Sequence, residues 1–193
     1  MNFVYFYAIM IENKTITNAY LLKTGFDDAY FDCKFITCDL SEMELTNTQF
    51  EECSFEMCNL SMTKLLCQMN DVKFMECKIV GADFSTVNKN STSLKFDKCN
   101  ISYTTFIGTN LHDCLYSECH IVECDFTDAN LSRTVFDNCE LSGTIFSGTN
   151  LEKADFETSH NYIINPTANR INKMVVSESE LKGLVAHLNI VIK

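Results

Sequence analysis

Eleven cysteines and four histidines hold most of the reactive chemistry available to this 193-residue chain. Thiolates and imidazoles build metal sites, nucleophiles and redox pairs. Cys114, Cys119 and Cys124, with His120 among them, superficially match a zinc-ligand spacing. The full set argues otherwise. Cys33, Cys38, Cys53, Cys58, Cys67, Cys77, Cys99, Cys114, Cys119, Cys124 and Cys139 each stand two residues before a large apolar or aromatic residue. Thr and Ala take the same slot elsewhere, so Cys reads as a small core residue. His112, His120, His160 and His187 share no motif, and no Walker, nucleophile-elbow, zincin or EF-hand pattern is present. The chain is expected to have no catalytic residues, no metal, no cofactor and no enzymatic activity.

What places the cysteines is a repeat. From Phe96 every fifth residue is large and apolar: Phe96, Ile101, Phe106, Leu111, Tyr116, Ile121, Phe126, Leu131, Phe136, Leu141, Phe146, Leu151, Phe156. Neither a helix, with period 3.6, nor a flat strand, with period 2, keeps such a series on one face. The first half follows with slips. Leu21, Phe26 and Phe31 are read as centres; one residue is lost before Phe35, Leu40, Leu45, Phe50, Phe55, Leu60 and Leu65, and another before Met69, Phe74, Ile79 and Phe84. The Ser/Thr/Asn/Lys stretch 85–95 breaks the register again and reads as a short excursion.

Residues twenty apart match in kind, as in Phe106, Phe126 and Phe146 or Leu111, Leu131 and Leu151. Four steps therefore close one coil, and like side chains stack at the ~4.8 Å spacing of paired strands. Seven such coils make a rod roughly 35 Å long. Cysteines five apart fall on successive sides of the coil. Stacked ones, such as Cys119 and Cys139, hold their Cβ atoms ~4.8 Å apart, beyond the usual ~3.5–4.5 Å of a disulfide. Gly81, Gly108, Gly143 and Gly148 lie two after a centre, where the coil turns a corner, and read as turn residues.

The steps Ala82-Asp83-Phe84, Ala129-Asn130-Leu131, Thr149-Asn150-Leu151 and Ala154-Asp155-Phe156 resemble the A(D/N)LXX unit of pentapeptide-repeat proteins over roughly residues 19–156. The resemblance implies an all-β solenoid, a right-handed quadrilateral β-helix, with a short C-terminal capping helix and strand. The expected parts are an N-terminal cap strand over 1–15, the repeat β-helix over 16–157 with its break at 85–95, and a C-terminal cap and dimerisation segment over 158–193. Phe3 to Ile11 is the covering strand; a start at Met10 would make the first nine residues incidental.

In the tail, Ser177 with Glu180 forms a capping-box pattern ahead of Leu181, Leu184, Val185 and Leu188, which share one helical face. Ile190-Val191-Ile192 reads as a strand. So short a helix must pack on something, either on its own last coil alone or, the favoured reading, on that coil and a second copy together, which makes a homodimer. The segment from Asn161 to Leu188 also resembles the dimerisation module of quinolone-resistance (Qnr-like) members of that family.

Net charge is −11, which excludes nucleic acid and anionic membrane as partners. Residues 96–157 hold eleven acids and three bases, whereas 158–193 hold two acids and four bases. Glu118, Asp137, Asp155 and Glu157 gather in the steps centred on Tyr116, Phe136 and Phe156, and form the expected acidic partner-binding face. The Qnr-like resemblance implies a DNA mimic that occupies the DNA groove of a type II topoisomerase, gyrase or topoisomerase IV, and modulates or protects it, as in quinolone resistance. A scaffold that binds some other protein is the alternative. With no basic leader before the apolar run Phe3–Ile11, and that run far shorter than the ~20 residues of a membrane span, a cytoplasmic protein with reduced thiols is expected.

Overall fold

The computed structural model describes residues 10–18, 21, 29–87, 93–188 and 190–191. The chain winds as a parallel β-solenoid of about eight turns with one short C-terminal helix. On one side, here side one, the strands form a single parallel sheet of nine. Among them, Lys73–Met75, Lys95–Asp97, Leu115–Ser117, Val135–Asp137, Asp155–Phe156 and Val175–Val176 follow one another rung by rung. Five residues on lies side two, with Ile101, Ile121 and Leu141; then side three, with Phe106, Phe126 and Phe146; then side four, with Leu111, Leu131 and Leu151. All thirteen centres from Phe96 to Phe156 are buried.

Each coil is tied to the next through its main chain. Ile121 N–H donates to Glu140 C=O at 2.8 Å, and His120 N–H to Cys99 C=O at 3.0 Å, so each peptide finds its partner one turn away. Corners fall two residues after each centre, in left-handed backbone. Gly148 has φ 67°, but Glu118, Asp128 and Arg133 adopt the same region at 50–60°. Glycine is thus one option at a corner and not a requirement.

The stacked aromatics form files. Phe106 and Phe126 lie 4.6 Å apart at 3°, and Phe96 and Tyr116 4.7 Å apart at 4°. Between files the rings meet edge to face, as Phe126 does Phe136 at 6.3 Å and 85°, the arrangement that ring quadrupoles favour. Tyr116 alone in its file has a hydroxyl, and that oxygen is buried without a hydrogen-bond partner. Tyr116→Phe is expected to raise stability by about 1 kcal/mol, since a buried unpaired hydroxyl costs that order of free energy. Urea melts of both proteins check this, and a loss of stability would mean that the hydroxyl is satisfied.

All eleven cysteines are buried and none is in a disulfide. The slot they occupy admits any small residue, Ala129 and Ala154 included, and offers an acceptor to those that can donate. Cys119 S–H donates to Phe96 C=O at 3.5 Å, Thr134 O–H to Leu111 C=O at 2.6 Å and Ser159 O–H to Phe136 C=O at 2.7 Å, each reaching back 23 residues. Cys, Thr and Ser interchange because each is small and donates. Burial pushes Cys67, Cys114 and Cys124 up to about 12, and Cys53 to about 11. The folded protein is expected to react slowly with thiol reagents at neutral pH, and to give all its thiols in denaturant. The folded pKa values lie above the unfolded ~8.5, so this contribution to stability is complete below about pH 8.5 and is lost as pH rises toward 12. A burst of reaction in native buffer would contradict the burial.

The register of the first half differs from the sequence reading. The centre before Phe35 is Tyr30, which is buried and pairs with Phe50, while Phe31 points outward and is only half-buried. The lost residue therefore falls before Tyr30 and not after Phe31. Leu21 packs against the core, while Phe26 and the expected covering strand before Met10 lie outside the described residues. At the expected break Phe74 pairs with Phe96, a 22-residue coil between neighbours of 19 and 20. Val87 packs on the core there.

Candidate partner-binding face and C-terminal cap

Side one carries the four expected acids in its C-terminal third. Asp137 and Glu157 immediately follow the stacked centres Phe136 and Phe156 and so share one outward column. Asp155 precedes Phe156 on the strand partner of Val135. The cluster is knit locally: Glu157 N–H donates to Asp155 Oδ1 at 2.9 Å, and Thr158 O–H to Asp137 Oδ1 at 3.0 Å. Glu118 stands at a corner nearer the N-terminus, 3.8 Å from Lys98. The structure thus gathers Asp137, Asp155 and Glu157 and sets Glu118 beside a base. Glu178, two residues past Val176, adds an acid at that end, and lies beyond Phe156, the last centre of the sequence repeat, where the period gives no signal for it. Toward the N-terminus one column of the same side carries bases, Lys34, Lys73 and Lys95, and continues as Leu115, Val135 and Asp155, while the other column there holds Glu56 and Asp97.

Side four is built differently. Asn110, Asn130 and Asn150 stack as an amide ladder, with Nδ2–H to Oδ1 bonds of 2.9 and 3.0 Å. Arg133 clasps Asp113 with two bonds of 2.5 and 2.6 Å, and its guanidinium holds that carboxyl below the usual carboxylate range. On side two, His120, Glu140 and His160 occupy consecutive rungs, a proximity that a search for motifs between sequence neighbours did not find. Among the described residues no group of three or more His, Cys, Asp or Glu is arranged to hold a metal ion, and no helix is long and apolar enough to cross a membrane.

The tail folds against the last coil as a 3-10 turn (Glu178–Glu180), a one-turn helix α1 (Lys182–Val185) and a second 3-10 turn (Ala186–Leu188). The capping box does not form. Ser177 makes no side-chain cap bond, and the buried Glu180 instead accepts the Asn161 N–H at 3.0 Å. Asn161 Nδ2 in turn donates to Glu140 at 2.8 Å, so one asparagine links the coil to its cap. Tertiary partners have outbid the local one. Leu184 packs on the core and Val185 is half-buried, while Leu181, Leu188 and Ile190 are exposed by 47%, 53% and 58%. Ile190 and Val191 form no strand, contrary to expectation, and Ile192 lies outside the described residues. A cavity of about 560 Å³ lies between cap and coil, lined by Tyr162, Ile163, Glu180, Lys182, Ala186 and Ile190 among others. A Cβ at position 183 would strike the Tyr162 carbonyl oxygen, so Gly183→Ala is expected to detach the cap and leave the coils folded. Limited proteolysis checks this: cleavage confined to the tail is the expected pattern, and an unchanged digest would sink it.

The sequence matches the family models described as pentapeptide repeat region, over residues 28–106, and pentapeptide repeats (8 copies), over residues 119–159. The chain is a member of the pentapeptide-repeat family. Among solved structures, two trypsin-treated variants of QnrB1, a plasmid-mediated fluoroquinolone resistance protein, share its fold with TM-scores of 0.62 and 0.63. Each is 18% identical, and the match covers 96% of this chain and 98% of theirs. HetL, a pentapeptide-repeat protein involved in heterocyst differentiation regulation from the cyanobacterium Nostoc, is 14% identical over 93% of this chain and 90% of its own, with a TM-score of 0.44. No curated protein sequence matches this pentapeptide-repeat chain.

Proposed function

We propose that this pentapeptide-repeat rod acts by imitating the charge of duplex DNA, and that its partner is the basic DNA groove of a type II topoisomerase, gyrase or topoisomerase IV, in the cytoplasm. The observation that carries the reading is linear charge density. Residues 96–157 hold eleven acids and three bases on three coils, ~15 Å of rod. B-DNA carries one charge per ~1.7 Å, about nine over that length. The acids Asp137, Asp155 and Glu157, with Glu118 nearby, lie at the end that carries the cap, so two rods joined through Leu181, Leu184, Val185, Leu188 and the Ile190–Ile192 segment would bring two acidic ends together. The resulting long acidic cylinder is complementary to a basic groove. The fold shared with QnrB1 supports the same partner class.

The test is direct: purified gyrase and topoisomerase IV subunits are passed over the immobilised full chain at low and high salt, and supercoiling is assayed with and without it. Binding that weakens steeply with salt, together with altered supercoiling, is the expected result. No binding and no effect at micromolar concentration would end this reading and leave a scaffold for another protein.

A further inference from the structure

Each coil passes from side four to side one through one corner residue in left-handed backbone. Along the rod, after an uncharged first member Asn13 (φ 53°), these are Asp32, Glu52, Asp71, Ser93, Asp113, Arg133, Lys153 and Lys173, with φ between 46° and 60°. Each precedes an inward slot, from Cys33 and Cys53 to Thr134 and Ala154, so they form one outward column. All seven charged members are exposed. Their order is in blocks: three acids, a serine, an acid, then three bases.

Stability within the chain does not account for that order. Like charges on neighbouring rungs repel, whereas the same residues in alternation would attract one another. Only Asp113 and Arg133, where the blocks meet, form an ion pair among the described residues of the column. From Asp32 to Lys173 the column is antisymmetric about the gap between Ser93 and Asp113, and a second copy turned end for end places every acid of the first three against a base.

The geometry points to this corner as a self-complementary edge on which two copies of the chain associate side by side, antiparallel. Asp32 then faces Lys173 of the second copy, Glu52 faces Lys153, Asp71 faces Arg133, and Ser93 faces Asp113. A parallel pair would set like against like along the whole edge, so charge alone selects the antiparallel one. The next column, at the start of side one, fits the same symmetry. Lys34, Lys73 and Lys95 face Val175, Val135 and Leu115, whose exposed side chains can take the lysine stems, and Ser54 faces Asp155. On the other flank Glu51 meets Glu152, a like-charge pair. One corner seven rungs long, ~34 Å, is a small contact, well under the ~800 Å² per partner of a standard interface. Association along it is therefore reversible and salt-sensitive. It uses neither the cap nor topoisomerase binding.

Sedimentation of the full chain tests it. At low ionic strength a species of twice the mass found at high salt is expected, with affinity at least about tenfold weaker near 0.5 M salt, where screening of the charged edge is nearly complete. Carbodiimide, which joins a carboxylate to an amine with no spacer, should link Asp32 to Lys173 and Glu52 to Lys153. Within one rod those residues are seven and five rungs apart, ~34 and ~24 Å, so either link must join two chains. The triple change Arg133→Glu, Lys153→Glu, Lys173→Glu should abolish the salt-sensitive association and leave any contact through the cap, as should Asp32→Lys, Glu52→Lys, Asp71→Lys, while an equimolar mixture of the two variants should restore it. A mass that does not respond to salt, with neither cross-link formed, would overturn the proposal even if the variants fail to fold.

Discussion

Phe126→Ala is expected to lower stability by about 3–5 kcal/mol, the cost of emptying a buried aromatic site. Phe126 is fully buried, stacked on Phe106 at 4.6 Å and on Phe146 at 5.6 Å, with Tyr116 and Phe136 edge-on at 6.3 Å each. The hole cannot collapse, because the coils above and below are held at the fixed spacing of their main-chain ladders. In a solenoid each unit touches only its neighbours, so a weak central rung also uncouples the two halves. The denaturation transition should therefore broaden as well as shift. Asn130→Ala, four residues away and outward, removes two amide bonds of the asparagine ladder, a loss of about 1 kcal/mol. Urea denaturation of the two variants distinguishes them, and equal losses would refute the assignment of inward and outward positions.

The second large effect is functional. Changing Glu118, Asp137, Asp155 and Glu157 together to their amides removes four charges from each chain and keeps side-chain size. If the rod substitutes for DNA, inhibition of supercoiling should fall by at least about tenfold, since the groove would meet only half of the −8 carried by residues 96–157. Stability should barely change, because exposed charges contribute little to folding. One effect runs the other way: Glu118 gives up its contact with Lys98 at 3.8 Å, and Asp155 its bond from Glu157 N–H. An amide oxygen can accept that bond, so the turn should persist. Unchanged inhibition by the variant would move the binding face elsewhere on the rod, with Asp125 and Asp128 on side three the next acids to test.

Much of the architecture was legible because the strict run Phe96–Phe156 admits one phase only. Where the run loosened, reading failed for identifiable reasons. Tyr30 and Phe31 are adjacent aromatics, and nothing local says which turns inward; pairing with Phe50 one coil on decides it. Glu180 fits a capping-box pattern, but its carboxylate accepts the Asn161 N–H, nineteen residues earlier, and a local pattern carries no signal for a partner that distant. The donor role of the cysteines was implicit in their exchange with Thr, which alanine-like packing alone would not favour. The four acids were found together because they share a side; that Lys98 neutralises one of them, and that lysines hold the other end of the side, depends on which columns stack. The His120, Glu140 and His160 stack and the block order at the corner were both present in the twenty-residue period, and become visible once the sequence is written in coils.

The 22-residue coil between Phe74 and Phe96 shows that the fold accepts extra chain without losing its hydrogen-bond ladder, provided the next centre returns to the same side. On either flank the rungs keep their partners, Asp83 with Thr105 and Phe74 with Phe96, and the sheet of side one runs through unbroken. Length and thickness are therefore inherited separately. Copying one whole coil would lengthen the rod by ~4.8 Å with every inward neighbour unchanged in kind, while adding residues within a coil leaves the length alone and raises a bump at a chosen height. A lineage built this way can adjust the reach of its charged end and decorate its flank as two independent traits, with no need to redesign the interior for either.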